Sequence, residues 1–403
     1  MKKIKSCNNC GKPFLETIDL GKHPCADTFV KSKKIAKNLK KYPLVVGYCE
    51  CHHFSAINKI KPDERYSKYD YSYTSDNSPV SRKHFKQIAI RIIKKFKFDK
   101  YKSIIEIGSN DGTFLKNFLD KGYKNILGVD PSQFMCNLAK KKNVRCHKGY
   151  FSFKTSKELK KKFGPFDTCY AANVFNHVDD IHDFLRGVFN VLKTNGNVVI
   201  EVPDLDSLLK NCGFDTIYHE HRQYFSKISL LKCFEKNKFN LIYIEKIKYM
   251  SGSLRIFATK KKISKNKNFK ELKTIKKINN LNNVKIFKKK INFIKKEINK
   301  FVLKFSSSNK IVVGLGAATK GNTLLNFCNL NEKKIKYILE SSPYKIDKFT
   351  PGSSIPIIDE KKILKFDAAI ILPWNITEHL FKKFLQKKNI PYINIPNLIK
   401  NFK

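Results

Sequence analysis

IIEIGSNDGTFLKNFL, residues 104–119, reads as a strand, a glycine turn and a helix start. Gly108 and Gly112 allow the backbone to approach a ligand closely, and the helix start offers unpaired N–H groups. Asp130 closes the next apolar run, ILGVD (126–130), where an acidic residue can accept both ribose hydroxyls of an adenosine. A nicotinamide dinucleotide would use the tighter G-x-G-x-x-G turn. This turn instead reads E-x-G-x-N-x-G, with Glu106 inside the strand and Asn110 in the turn.

Outward from this unit, FDTCYAANV (166–174), GNVVIEVPD (196–204), LIYIEKI (241–247) and SLRIFAT (253–259) alternate with helical stretches. Short apolar runs separated in this way indicate an α/β domain with a mostly parallel sheet covered by helices. A second alternation begins at KIVVGLGAATKGNTLLNF (310–327) and continues to the end. Between them, Ile278, Phe287, Ile291, Ile294, Ile298, Phe301 and Phe305 recur mainly at three- and four-residue steps, as on an amphipathic helix. That helix reads as a solvated connector packed on a neighbouring domain, with a membrane-surface helix as the alternative. The division expected is 1–66, short and cysteine-bearing; 67–262; and 263–403, the connector with a second α/β domain.

The 403 residues carry a net charge of +47, which invites a nucleic-acid reading. Only seven of the 81 basic residues are Arg, the side chain that reads phosphates and bases with two bonds at once. Lysine, asparagine and isoleucine are abundant together, as an A/T-rich genome would produce. No nucleic-acid partner is therefore expected. MKKIKSCNNC has no apolar run behind its basic start, and no apolar stretch approaches the roughly 20 residues of a membrane span. Eleven cysteines then read as thiols or metal ligands, and the expected location is the cytoplasm without membrane association. The sequence is silent on oligomeric state.

DTIYHEHRQYFS (215–226) gathers three acid/base side chains, His219, Glu220 and His221, between Tyr218 and Tyr224. A metal cage, an acid/base site and an inert polar loop all compete for it. In an extended chain His219 and His221 project oppositely, and no H-E-x-x-H spacing is present, which disfavours the metal. Histidine suits a base, since its ordinary pKa of about 6.5 is near the working pH. His219 reads as structural. Cys7 and Cys10 form a C-x2-C knuckle, and Cys49 and Cys51 form a tighter second pair. Four thiolates suit tetrahedral zinc, with His52 as an alternative fourth ligand.

The turn at 106–112 resembles the first motif of class I S-adenosylmethionine methyltransferases, and GPFDTCYAANVFNHVDDIHDFLRGVFNVLKTNGNVVIEVPD (164–204) resembles their fourth and fifth strands. AANVFNHV stands where nucleobase amino-methyltransferases have (Asp/Asn)-Pro-Pro-Tyr. Nearly the whole chain resembles the sugar-nucleotide C-methyltransferases. The resemblance is carried by CNNC, LGKHPCADTF and YPLVVGYCECHHF, by YSYTSDNS (71–78), YHEHRQYFS and YMSGSLRIF (249–257), and by GLGAATKGNTLLNF, SSPYKIDKFTPGSSIPI and LPWN. It implies a zinc-binding N-terminal domain, a class I methyltransferase domain and a second Rossmann-like domain, with structural zinc and S-adenosylmethionine as cofactors. Methyl transfer would go to carbon beside the ketone of a nucleotide-linked keto-deoxysugar. Glu106, Gly108, Asn110, Gly112, Asp130 and Asn173 would hold the donor. By resemblance His221 is the base, Glu220 orients or polarises it or a sugar hydroxyl, Tyr218 contacts the intermediate and Tyr73 covers donor and substrate. His177, Asn173 and Tyr224 would reach the sugar or its phosphates. Lys320 is a candidate phosphate ligand beside Gly314, Gly316 and Gly321, glycines that a strand-to-helix turn alone would also explain. The alternatives are an O- or N-methyltransferase of a small metabolite, and a basic zinc-and-Rossmann protein that binds RNA.

Overall fold

The computed structural model describes residues 5–58, 60–66, 74–76, 78–262, 280–362 and 365–402. Tyr73, Ile278 and the connector before residue 280 lie outside them. Three strands open the chain: β1 (Glu16–His23), β2 (Tyr42–Cys49) and β3 (His53–Ala56), paired antiparallel in that order. The seven-stranded sheet that follows uses β4 (Ile104–Ile107), β5 (Ile126–Asp130), β6 (Cys146–Lys148), β7 (Phe166–Ala172) and β8 (Leu192–Pro203) as a parallel set. A short β9 (Gln223–Phe225) leaves this sheet and pairs antiparallel with β3. The chain returns as β10 (Asn240–Ile247) and β11 (Ser253–Thr259). The last strand inserts antiparallel between the fifth and sixth, giving the order β10-β11-β8-β7-β4-β5-β6. That order, with its single reversed strand, is the class I methyltransferase arrangement.

Ile104, Ile105, Cys169, Val198 and Val199 are fully buried, because helices cover both faces of the parallel strands. The helix α1 (Pro79–Lys95) starts at Ser78, whose side chain accepts from the Ser81 N–H, with Pro at the first helical turn. It turns Phe85, Ile88, Ala89 and Ile92 inward. The helix α2 (Thr113–Leu119) begins directly after the glycine turn.

The expected connector is present as α3 (Asn280–Ser306). Its buried face carries Val284, Phe287, Ile291, Ile294, Ile298 and Val302. These side chains share one core with Ile18 and Leu44 from the N-terminal sheet, Phe214 and Ile217, and Leu324 and Ile338 further on. The apolar stripe is thus spent inside the protein, on a core joining all three parts. Among the described residues no helix is long and apolar enough to cross a membrane.

The C-terminal sheet is wholly parallel, in the order β14-β13-β12-β15-β16, from β12 (Val312–Leu315), β13 (Ile338–Glu340), β14 (Ile357–Asp359), β15 (Ala368–Ile371) and β16 (Tyr392–Ile393). It is a second Rossmann-like sheet, and α4 (Thr319–Phe327) follows its central strand.

Candidate functional site

The glycine turn after β4 has a steric need for its glycines. Gly108 sits at φ +68°, and a Cβ there would lie 2.2 Å from Val174 Cγ2. Gly112, at φ +75°, has Val144 Cβ 3.0 Å from the same position. Asn110 takes φ +50°, which asparagine tolerates better than most residues. The Asn110 N–H donates to Asp130 Oδ2 at 2.9 Å and the Ser132 N–H to Asp130 Oδ1 at 2.9 Å, which fixes the turn against the end of β5. Burial pushes the Asp130 carboxyl up to about 6. Glu106 is 4% exposed, and burial first, then Asp111 and Asp130, hold its carboxyl well above the usual range. Among the described residues its Oε2 has no hydrogen-bond partner.

A cluster of crowded carboxylates, one oxygen of it orphaned, fits a ligand that brings a cation and N–H or O–H donors. The ammonium, sulfonium and ribose hydroxyls of S-adenosylmethionine supply these. The segment following Tyr73 lies against the same turn: the Ser75 N–H donates to Asn110 Oδ1 at 2.8 Å and the Asp76 N–H to Asp111 Oδ2 at 3.1 Å. Asn173, at φ +54° just beyond β7, donates its N–H to the Glu201 carbonyl at 2.9 Å.

The YHEH segment is neither strand nor long helix. After a single 3₁₀ turn (Phe214–Thr216) it runs irregularly into β9. His221 Nδ1–H donates to the Thr216 carbonyl at 2.8 Å, which leaves Nε2 with its lone pair. Burial pulls the imidazole down to about 4, so it is neutral at pH 7. The Tyr218 ring lies 3.9 Å from it, tilted by 30°, and His177 meets it edge-on at 4.8 Å. His177 Nδ1 is 2.7 Å from the Tyr66 hydroxyl, and burial holds its pKa well below the ordinary value, with His221 and Arg65 adding to the effect. Beside the two rings, Arg65 and Arg222 share one carboxylate, Asp179, at 2.6 and 2.8 Å. Two buried guanidinium groups stand against this one carboxylate, and the charge of Arg65 further disfavours protonation of His177.

Glu220 faces the N-terminal part. Its carboxylate accepts from the Asp27 N–H at 3.0 Å and the Ala26 N–H at 3.3 Å, and burial pushes it up to about 7. The orienting of His221 expected of Glu220 is therefore done by the Thr216 carbonyl. His219 is buried against Tyr42, within 3.0 Å of the His23 carbonyl, and burial lowers it to about 3. Tyr224, expected to reach substrate, is 2% exposed and donates its hydroxyl to the His221 carbonyl at 3.2 Å.

The four cysteine thiols converge. The Sγ atoms of Cys7, Cys10, Cys49 and Cys51 lie within 4.8 Å of one another, with 3.6 Å between Cys7 and Cys51 and 3.3 Å between Cys10 and Cys49. Ligands at about 2.3 Å from a tetrahedral zinc stand about 3.8 Å apart, so the set fits zinc. The short C-x-C spacing works because the chain reverses tightly: the His52 N–H returns to the Cys49 carbonyl at 2.9 Å, and His52 takes φ +61°. Cys51, not His52, completes the set. The knuckle is also tied to the central part, since Asn9 Nδ2 donates to the Ser229 carbonyl at 2.9 Å and His182 Nε2 lies 2.9 Å from the Asn9 carbonyl.

In the C-terminal part the glycines have packing explanations. A Cβ on Gly316 would stand 2.6 Å from Pro373 Cγ, and one on Gly321 2.8 Å from Leu372 Cβ. Glu340 occupies the turn, accepting from the Ala317 N–H at 2.7 Å. Lys320 places its ammonium 4.0 Å from the centre of the Trp374 ring, and burial pulls it down to about 8.

Sequence reasoning missed Thr216, Arg65, Tyr66, the Ala26–Asp27 backbone and Trp374. A backbone carbonyl carries no sequence signal, and the others come from distant stretches. Only LGKHPCADTF and LPWN, singled out for resemblance, pointed toward two of them.

Family models match three consecutive parts of the chain: "Putative zinc binding domain" at residues 7–66, "Methyltransferase domain" at 81–244 and "C-methyltransferase C-terminal domain" at 248–390. The protein is thus a S-adenosylmethionine-dependent methyltransferase with a zinc-binding N-terminal domain and the domain set of the C-methyltransferases. It is similar to C-methyltransferase NovU of Streptomyces niveus, 28% identical over 408 residues, covering 98% of this chain and 96% of that one. Among solved structures, the PH0226 protein of Pyrococcus horikoshii is 18% identical over 47% of this chain and 95% of its own, with a TM-score of 0.37. A methyltransferase of Archaeoglobus fulgidus is 17% identical over 43% and 94%, with a TM-score of 0.35. At those scores neither adds to what the strand order shows.

Proposed function

We propose that the protein methylates the carbon beside the ketone of a nucleotide-linked keto-deoxysugar, in the cytoplasm. In this reading the chain divides into a zinc-binding part (1–66), a catalytic part (67–262) and a connector with a substrate-binding part (263–403). One observation carries the chemistry: His221 is a buried, neutral imidazole with Nδ1–H bonded to a carbonyl and Nε2 left as a base. An O- or N-methyltransferase has less need of such a group, since its acceptor already holds a lone pair.

Bound S-adenosylmethionine supplies an electrophilic methyl group on sulfur. The residues do the rest. His221 Nε2 removes the proton next to the ketone, and the C–H electron pair becomes the enolate, whose carbon would take the methyl while the donor sulfur keeps the pair of the broken S–C bond and leaves as a neutral thioether. Tyr218, its ring tilted against His221, contacts the developing oxyanion, as hydrogen-bond donors must for an enolate to form near neutrality. Tyr73 covers the pair, His177 and Asn173 reach the sugar or its phosphates, and Glu220 holds a sugar hydroxyl or the chain beside it. Lys320 serves the diphosphate. Free cysteines throughout support the reducing compartment.

The test is proton exchange in D2O on a thymidine-diphospho-4-keto-deoxysugar. Wild type washes out the proton beside the ketone and, with donor, forms a carbon-bound methyl. His221→Ala loses both by about 10²–10⁴-fold. Methyl transfer to oxygen or nitrogen, untouched by His221→Ala, would replace this reading with the O- or N-methyltransferase.

A further inference from the structure

The only tryptophan of the chain, Trp374, belongs to the C-terminal part, yet its indole N–H is spent on the catalytic segment. Nε1 donates to Asp215 Oδ2 at 2.8 Å. Asp215 is wholly buried, and among the described residues its other oxygen, Oδ1, has no hydrogen-bond partner. Asp215 immediately precedes Thr216, whose carbonyl receives Nδ1–H of His221. On the far side of that peptide, Thr323 Oγ1 donates to the Ile217 carbonyl at 3.2 Å. The Thr216 peptide is therefore pinned from both flanks by the C-terminal part. The half-buried indole has the Lys320 ammonium over one face, 4.0 Å from the ring centre, and its Cζ2 would be 3.6 Å from a Cβ on Gly213.

We infer that Trp374 is a positioning residue for His221: through Asp215 it fixes the Thr216 carbonyl, and through that carbonyl the ring orientation and the tautomer that leaves Nε2 bare. The assignment rests on the reading of His221 as the base. Without the indole N–H, the buried Asp215 carboxylate would be left to its own N–H, the Thr216 N–H and the charge of Lys320, and the 3₁₀ turn would shift as these close on it. A shift of about 1 Å in the Thr216 carbonyl is enough to release Nδ1–H.

The experiment is ¹⁵N NMR of the histidine rings in the full-length protein, with His221→Ala identifying the His221 signals. Wild type shows a protonated Nδ1 and an unprotonated Nε2. Trp374→Phe keeps an aromatic ring but loses the donor, and its His221 signals move to a mixture of the two tautomers. Asp215→Asn retains an oxygen to accept the indole N–H and keeps the wild-type pattern. Because there is one tryptophan, growth of an auxotroph on benzothienylalanine replaces Trp374 alone, exchanging N–H for sulfur at the same shape. This variant stands in if Trp374→Phe does not fold.

In the D2O assay with thymidine-diphospho-4-keto-deoxysugar, loss of the N–H lowers exchange about 10-fold while the dissociation constant for S-adenosylmethionine stays at the wild-type value. Unchanged His221 signals in a folded variant without the N–H, with exchange at the wild-type rate, overturn the inference and leave Trp374 a packing residue. If His221→Ala itself retains exchange while the tautomer shift is present, the tether stands and the base assignment fails. The two failures are thus told apart.

Discussion

Gly108→Ala tests whether the cofactor turn is shaped by sterics. Alanine at φ +68° costs about 1–2 kcal/mol in backbone energy. The new methyl would begin 2.2 Å from Val174 Cγ2, an overlap neither group can tolerate, and relieving it by moving the turn costs about 1–3 kcal/mol more. The sum is about 2–5 kcal/mol. Part of it appears as lost S-adenosylmethionine affinity, because the turn also carries the Asn110 N–H that holds Asp130. A displacement worth about 1.4–2.8 kcal/mol at the ligand weakens binding about 10- to 100-fold. Val174→Ala removes the clashing methyls, so the double variant regains the overpacking part and keeps only the backbone penalty. Calorimetric titration with S-adenosylmethionine and thermal unfolding of the four proteins give the cycle. A coupling of about 1–3 kcal/mol toward rescue is expected. If Gly108→Ala binds and melts like wild type, or if Val174→Ala rescues nothing, the steric argument is wrong.

Zinc should be present at one per chain by elemental mass spectrometry. Cys51→Ser should lose it and destabilise the N-terminal part, while His52→Ala keeps it. Glu201, wholly buried, accepts from Arg255 Nε at 2.7 Å and Tyr170 at 3.1 Å and lies 2.7 Å from His84 Nε2. Glu201→Gln leaves the buried Arg255 with only the Glu245 carboxylate, at 2.9 Å, and should cost about 1–3 kcal/mol, read from denaturant unfolding. For pH, His221 acts as a base only when neutral. With its pKa lowered to about 4, substrate exchange should hold from pH 8 to about 5 and fall as pH drops through 4. Any inflection near 7 belongs to Glu220, raised to about 7, so Glu220→Gln should remove it and leave the acid limb. An acid limb centred at 6.5 would mean that His221 is open to water.

What was legible in the sequence was what repeats or is glycine-bound. The alternation of apolar runs identified both parallel sheets, and the three- and four-residue steps identified α3. The turn at 106–112 was legible because only glycine fits at φ +68° and +75° in contact with Val174 and Val144. The residue types of YHEH suggested acid/base chemistry, but the partners of each side chain could not be read. Thr216 contributes only its backbone, and Glu220 is held by N–H groups nearly two hundred residues earlier. The departure of β9 from the central sheet was also hidden, since a three-residue strand leaves no periodicity.

That departure bears on how the chain is made. β3, at residues 53–56, is complete only when residues 223–225 arrive beside it, so the N-terminal sheet cannot close while those residues are still inside the ribosome. Until then an edge strand stands exposed, the condition that invites aggregation. The cysteine knuckle needs nothing beyond Cys51 to gather its thiols, so it is available early to hold β2 and β3 in register while the remainder emerges. Zinc supply during synthesis should therefore govern the yield of soluble protein more strongly than zinc added after folding governs its activity.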